Sequence, residues 1–278
     1  MRTQKTVTSS ILFAAIMGML ASCGGRDKKD KAAADSTKPV VVAPAGPGTP
    51  MKLDSTKRYI YLTFDDGPQP PGTNMCKAVF HEQGVKATFF LVGMHQFDHR
   101  RKLIVDSLHN SYPEFLTANH SYSHGFKNNY RNFYTHADSA VKDFLRAGEE
   151  LKIPVKIIRL PGNNNWVHKG EIRGPKIPLA VCKKLDSLGY DVIGWDVEWG
   201  FKGNSTPIQS AEKMAQEVNT KFENYTSYTP NTVVILAHDR MFASAQYADS
   251  LRRFITILKQ DPRNVFETID HYPMVQQK

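Results

Sequence analysis

The sequence predicts an α/β protein built on parallel strands, and three observations carry that prediction. Short β-branched and aromatic runs alternate with longer helix-like stretches, the pattern of strands joined by crossover helices. About 225 residues follow Lys52, enough for a single barrel-type domain with its own core, and no internal repeat divides them. Polar clusters fall at the ends of successive predicted strands, the edge where barrels and open parallel sheets build their sites.

The first element, residues 59–64, is Tyr-Ile-Tyr-Leu-Thr-Phe, a buried strand by composition. Gly67-Pro68 ends it with turn chemistry. A helix is predicted over 73–83, then a strand over 86–92. Residues 114–118 form a weaker strand candidate, and 136–151 a helix. The next strand covers 156–160, a helix 178–188, a strand 190–194 and a helix 208–222. Residues 232–236 form an apolar strand, 245–260 a helix, and 265–269 a further weak strand.

Five clusters sit on this frame. Asp65 and Asp66 close the first strand. Neighbouring strand residues point to opposite sides, so the two carboxylates cannot serve one task from one direction. They repel, and a cation beside them relieves that cost; an Asx-type turn is the competing reading. His120 and His124 are four apart, which suits chelation of one metal. Among ten histidines that pair alone says little, but with an upstream aspartate it makes a three-ligand set with a position open for water. Arg159-Leu160-Pro161-Gly162-Asn163, Trp195-Asp196-Val197-Glu198-Trp199 and the strand ending at His238-Asp239 complete the series.

This order of motifs resembles the polysaccharide deacetylase family, also called the chitooligosaccharide deacetylase homology domain or carbohydrate esterase family 4. Thr63-Phe64-Asp65-Asp66-Gly67 and the His-x-x-x-His at His120 and His124 match its pattern, and the resemblance runs from about Arg58 to Asp239. It implies a distorted (β/α) barrel. It also implies roles: Asp65 as general base, Asp66 with His120 and His124 as metal ligands, Arg159 orienting the base, and His238 as general acid. Leu236 and Trp199 would wall the pocket for an acetyl methyl group. Two positions depart from the pattern. Gly162-Asn163 follows Pro161 where an aromatic residue is usual, so a backbone donor survives and an aromatic wall does not. Glu198, with Asp196 as the alternative, takes the place of the aspartate that braces the arginine.

The chemistry also follows from the residues. A divalent metal polarises an amide or ester carbonyl and lowers the pKa of bound water from about 15.7 toward roughly 7. Asp65 would take the proton, a backbone N–H near Gly162 would help hold the oxyanion, and His238 would protonate the leaving group. Zinc is the default metal for this donor set, with cobalt, nickel and manganese as alternatives. Trp166 and the residues from Trp195 to Phe201 lie on loops expected to flank the pocket, and Trp faces suit sugar rings. The expected activity is removal of N-acetyl, or alternatively O-acetyl, groups from a carbohydrate polymer or oligomer. A hydrolase of another small amide and a catalytically silent carbohydrate-binding lipoprotein are the competing readings.

The N-terminus reads separately. Arg2 and Lys5 precede an apolar stretch from about Val7 to Leu20, the length of a signal-peptide core. Leu20-Ala21-Ser22-Cys23 resembles the bacterial lipobox, which implies a signal peptide over 1–22 and lipidation at Cys23. Residues 23–52, rich in Lys, Asp, Ala, Pro and Gly, read as a flexible tether, and 53–278 as the catalytic domain. The expected location is a bacterial cell envelope, periplasmic or surface-exposed, held at the membrane by the lipid.

Net charge is +9, but Arg2 and Lys5 supply +2, and six basic against three acidic tether residues supply +3. The domain keeps only +4, too diffuse for a nucleic-acid partner. Cys76 and Cys182 are expected as buried free thiols.

Overall fold

The computed structural model describes residues 46–277; the signal segment, Cys23 and the tether up to residue 45 lie outside them. Ten strands form one sheet: β1 (Arg58–Gly67), β2 (Ala87–Leu91), β3 (Phe115–Asn119), β4 (Ile157–Ile158), β5 (Trp166–His168), β6 (Glu171–Arg173), β7 (Asp191–Val192), β8 (Val197–Glu198), β9 (Thr232–His238) and β10 (Asn264–Phe266). Their order is β6-β5-β7-β4-β3-β2-β1-β9-β8, with β10 also paired to β1. The pairs from β7 through β4, β3, β2, β1 and β9 to β8 are parallel, and β5 pairs antiparallel with β6 and β7. The result is a distorted (β/α) barrel, as expected.

Alternation along β1 sets the layers. Ile60, Leu62 and Phe64 join the apolar cluster that includes Val79 and Phe80 of the helix Gly72–Gln83, Met214 of Ala211–Glu223, and Phe254 of Ala245–Leu258. Tyr59 and Tyr61 face the other way, into a cluster with Phe90, Leu116, Ile157 and Val234. Thr63 and Asp65 continue that second row, which is how a carboxylate enters the barrel interior.

The five firm strands, the two weak ones and the five helices are all present, at boundaries shifted by a few residues. The helix His99–His109 and the hairpin of β5 and β6 are additions that the sequence reading lacked. The helix is weakly patterned, with only Ile104, Val105 and Leu108 buried in a charged run. Cys76 and Cys182 are free and buried. The end of the assigned tether belongs to the domain: the Gly48 N–H donates to Asp270 Oδ2, the Met51 N–H to Gln276 Oε1, and Met51 and Leu53 pack on the interior cluster. Composition missed this because so short a segment needs few apolar residues when it lies along an existing surface.

Candidate active site

Asp66 reaches the cleft through a backbone irregularity. Strict alternation would send it outward with Phe64, but the β1–β2 register shifts between Phe64 and Gly67 and Asp66 adopts φ 70°. Such shifts re-aim side chains beside active sites. The His95 ring supports the kink, its Nδ1 lying 2.6 Å from the Asp66 carbonyl oxygen. His120 follows β3, its N–H donating to the Leu91 carbonyl. His124 opens a turn of left-handed backbone, with φ of 51°, 63°, 54°, 55° and 70° from His124 to Asn128. Left-handed geometry costs roughly 1–2 kcal/mol per non-glycine residue, so surrounding contacts must hold this turn in place.

One ligand atom from each of Asp66, His120 and His124 lies within 4.8 Å of the others. Asp66 Oδ1 is 2.9 Å from His124 Nε2 and 3.6 Å from His120 Nε2. Ligand atoms about 2.0 Å from a tetrahedral ion stand about 3.3 Å apart, a value these separations bracket. The far nitrogens matter equally. His120 Nδ1 faces the Arg159 carbonyl at 3.0 Å, and His124 Nδ1 faces the side-chain oxygen of Asn128. A carbonyl only accepts, so in the neutral rings the proton sits on Nδ1 and the Nε2 lone pairs converge on a carboxylate oxygen. Asp66 Oδ1 is itself buried with no hydrogen-bond partner. Arg240 Nη1 lies 3.2 Å from the other Asp66 oxygen, and the three donor atoms themselves fit a divalent metal.

Charges follow the same logic. Burial alone would raise the Asp66 carboxyl, but His124, with His120 and His238, holds it far below the usual carboxylate range. Burial and the neighbouring His124 push His120 down to about 3. Burial opposes protonation of His124 as well, yet the Asp66 carboxylate raises it overall. Asp65 is raised by burial against the opposing charge of Arg159. His238 is lowered by burial, partly offset by the two carboxylates.

Arg159 is fully buried and makes four hydrogen bonds through its guanidinium. Nη1 donates to Thr63 Oγ1 (2.6 Å) and Asp65 Oδ1 (3.0 Å), Nη2 to the Gly194 carbonyl (2.9 Å) and Nε to the Ile193 carbonyl (3.2 Å). The expected carboxylate brace is replaced by these two carbonyls. Asp196 instead accepts from the Tyr228 and Val234 N–H groups, and Glu198 faces the cleft. Asp65 keeps Oδ2 free of the arginine, 3.6 Å from His120 Nε2.

These groups line a cleft of about 470 Å³ together with Gln69, Asn128, Tyr130, Leu160, Gly162, Trp195, Phe201, Leu236, His238 and Arg240. Pro161 lies buried behind it, its carbonyl accepting the Tyr134 hydroxyl. Two aromatic expectations are corrected. Trp199 is a core residue, 1% exposed and packed edge-on to Phe242 and Phe254. Trp166 is buried and stacked on Tyr228 at 4.0 Å, away from the cleft. Trp195 and Phe201 do line the cleft, as expected of their loop. His95, which no motif singles out, is also a cleft residue. Tyr130, Asn128 and Arg240 carry no motif and are found only through the fold.

Fold and site together define a class: distorted (β/α) barrels with an Asp-His-His cluster at the C-terminal rim, beside a second, arginine-held carboxylate. Within it, the chain is similar to the polysaccharide deacetylase family. Residues 52–162 match the family model described as "Polysaccharide deacetylase", a span holding every group above from Asp65 to Gly162 but not His238. The chain is 24% identical to a chitin disaccharide deacetylase of Vibrio alginolyticus over 315 aligned residues, covering 78% of this chain and 72% of that protein. It is 41% identical to a chitooligosaccharide deacetylase of Rhizobium leguminosarum bv. trifolii over 73 residues, 25% of this chain and only 31% of that one. The fold is shared with a peptidoglycan deacetylase of Bacillus subtilis at a TM-score of 0.55 and 21% identity, covering 81% and 94% of the two chains.

Proposed function

We propose that this protein is a metal-dependent hydrolase that removes N-acetyl, or alternatively O-acetyl, groups from a carbohydrate polymer. The observation that carries the reading is the free Oδ2 of Asp65 standing beside the Asp66–His120–His124 cluster while Arg159 fixes its other oxygen. The names of the relatives, deacetylases of chitin fragments, support the carbohydrate class. Zinc is the proposed ion, since imidazole–carboxylate sets with an open position suit it.

The chemistry such a cation supplies when bound is polarisation of the acyl carbonyl and acidification of the adjacent water. Asp65 accepts the water proton through Oδ2 as the water oxygen bonds to the acyl carbon. Arg159 favours the charged form of that carboxylate against the effect of burial and stops it rotating away. The Gly162 N–H, at the cleft wall, is the proposed donor to the developing oxyanion. His238 protonates the sugar nitrogen as the C–N bond breaks, giving acetate and a free amine. Burial lowers the His238 pKa, which makes its imidazolium a better proton donor than the free one, and the nearby carboxylates partly offset that shift. Each proton transfer is worth about 100- to 10,000-fold.

For the segments outside the described residues the proposal follows the sequence: a signal peptide over 1–22, a lipid on Cys23, and a tether holding the domain at a bacterial envelope membrane. Replacing Cys23 with Ala should move the protein from the membrane to the soluble fraction.

The deciding experiment is acetate release from a panel of acetylated glycans by metal-stripped protein with and without added Zn²⁺. Metal-dependent release is expected. Metal uptake with no acetate from any glycan would instead mark a silent binding protein.

A further inference from the structure

We infer that Tyr130 and Asn128 are positioning residues that set the proton on His124 and so make it a metal ligand, with the Tyr130 ring doubling as a wall of the cleft. This rests on the metal-dependent reading above. Tyr130 occupies a slot between two glycines. A Cβ on Gly125 would stand 2.7 Å from its Cδ1, and one on Gly162 would stand 2.8 Å from its Cε2. Those atoms belong to opposite edges of the ring, and both glycines have φ near +63°, so side chains are excluded there twice over. The slot aims the hydroxyl at Asn128 Oδ1, to which it donates at 3.0 Å. The same oxygen faces His124 Nδ1.

The consequence is a choice of tautomer. A carboxamide can present either C=O or NH₂ to the imidazole. If Asn128 turned its NH₂ toward Nδ1, that nitrogen would accept, the proton would move to Nε2, and the lone pair needed by the cluster would be blocked. The Tyr130 hydroxyl donates to Oδ1, so in the oxygen-facing orientation one carboxamide oxygen serves both Tyr130 and His124. Asn128 is also suited to its backbone, since at φ 70° Asn is among the few side chains tolerated. The ring meets His124 edge-on at 5.8 Å, closing the left-handed turn against the cleft. Where Gly162 offers no side chain, this ring supplies the missing wall.

The test is a titration of metal-stripped, full-length protein with Zn²⁺ against a chromogenic chelator, alongside melting of the metal-free form. Asn128→Gly fits the backbone and deletes the oxygen; about 10- to 100-fold weaker Zn²⁺ binding is expected. Asn128→Asp restores an acceptor and should bind within about threefold of wild type. Tyr130→Phe keeps the ring in its slot, removes only the hydroxyl, and should weaken binding by about three- to tenfold. Wild-type affinity in both Asn128→Gly and Tyr130→Phe overturns the inference. Equal weakness of the Gly and Asp variants also overturns it, because that pattern marks a merely structural role. For the wall, Tyr130→Ala should raise KM for an acetylated chito-oligosaccharide above that of Tyr130→Phe, and equal KM values remove that part. A wild-type protein that takes up no Zn²⁺ fails the metal-dependent reading itself, a result distinct from all of these.

Discussion

Two buried carboxylate–imidazole clusters sit at opposite ends of the barrel, and they are wired differently. At the base, Glu267 accepts two contacts from Lys86 Nζ (2.7 and 2.8 Å) and one from the Thr268 N–H, and His271 Nδ1 lies 3.0 Å from it. Burial opposes charge on both members, yet the partners hold Glu267 down to about 2 and raise His271. That cluster neutralises itself with protons and a lysine. At the rim, carbonyl oxygens claim the far nitrogens of His120 and His124, which turns lone pairs toward Asp66. The same residue types thus give a finished ion pair in one place and a waiting ligand set in the other.

The largest effect should come from removing a member of the rim set. Asp66→Ala or His120→Ala is expected to abolish Zn²⁺ uptake in equilibrium dialysis and activity with it. Zn²⁺ bound with native affinity by either variant would break the contrast drawn above. Asp65→Asn comes next. It should cut kcat by about 100- to 10,000-fold with Zn²⁺ still bound, and near-native turnover would end its role as base.

The sequence pointed to the proposed ligand set and base because these depend on local chemistry: carboxylates at a strand end, two histidines four apart, an arginine after a strand. What it hid has no residue signature. Arg159 is braced by the carbonyls of Ile193 and Gly194, which any side chain could accompany, so Asp196 and Glu198 were drawn into a role they do not have. Asp66 enters the cleft by a register shift that alternation alone forbids. Tyr130 and Asn128 act through a left-handed turn whose cost only tertiary contacts can offset. The missed strands β5, β6 and β8 have two or three residues each, too few to show a period.

A smaller effect is expected at the base. Glu267→Gln leaves Lys86 and a protonated His271 facing a neutral amide, a loss on the order of 2 kcal/mol given that Lys86 is partly exposed. The melting temperature should fall by about 5 °C with Zn²⁺ affinity unchanged. The pH dependence has two limits. Glu267 is depressed from 4.5 to about 2, so its contribution is complete above about 4.5 and is lost as pH falls through about 2. His271 is raised from 6.5, so its share is complete below 6.5 and is lost as pH rises through its higher folded value. In wild type, the cluster therefore contributes most between about pH 4.5 and 6.5. Glu267→Gln should flatten the stability profile on both sides of that window, measured as urea midpoint against pH.

The smallest effect separates core from cleft among the aromatics. Trp166 stacks on Tyr228 with planes 6° apart and lies 5.6 Å from the Tyr272 ring, so its indole face is spent inside the protein and none is left for a sugar. Trp166→Phe keeps an aromatic ring but removes part of that overlap, a loss of about 1–2 kcal/mol. KM should stay within about twofold of wild type, because the pocket wall is untouched. Trp195→Phe, at the cleft, is the matched control: it should change KM with little change in melting temperature. If Trp166→Phe raised KM as much as Trp195→Phe did, the indole would have to reach the substrate, and the stacked arrangement at β5 could not be the one present during turnover.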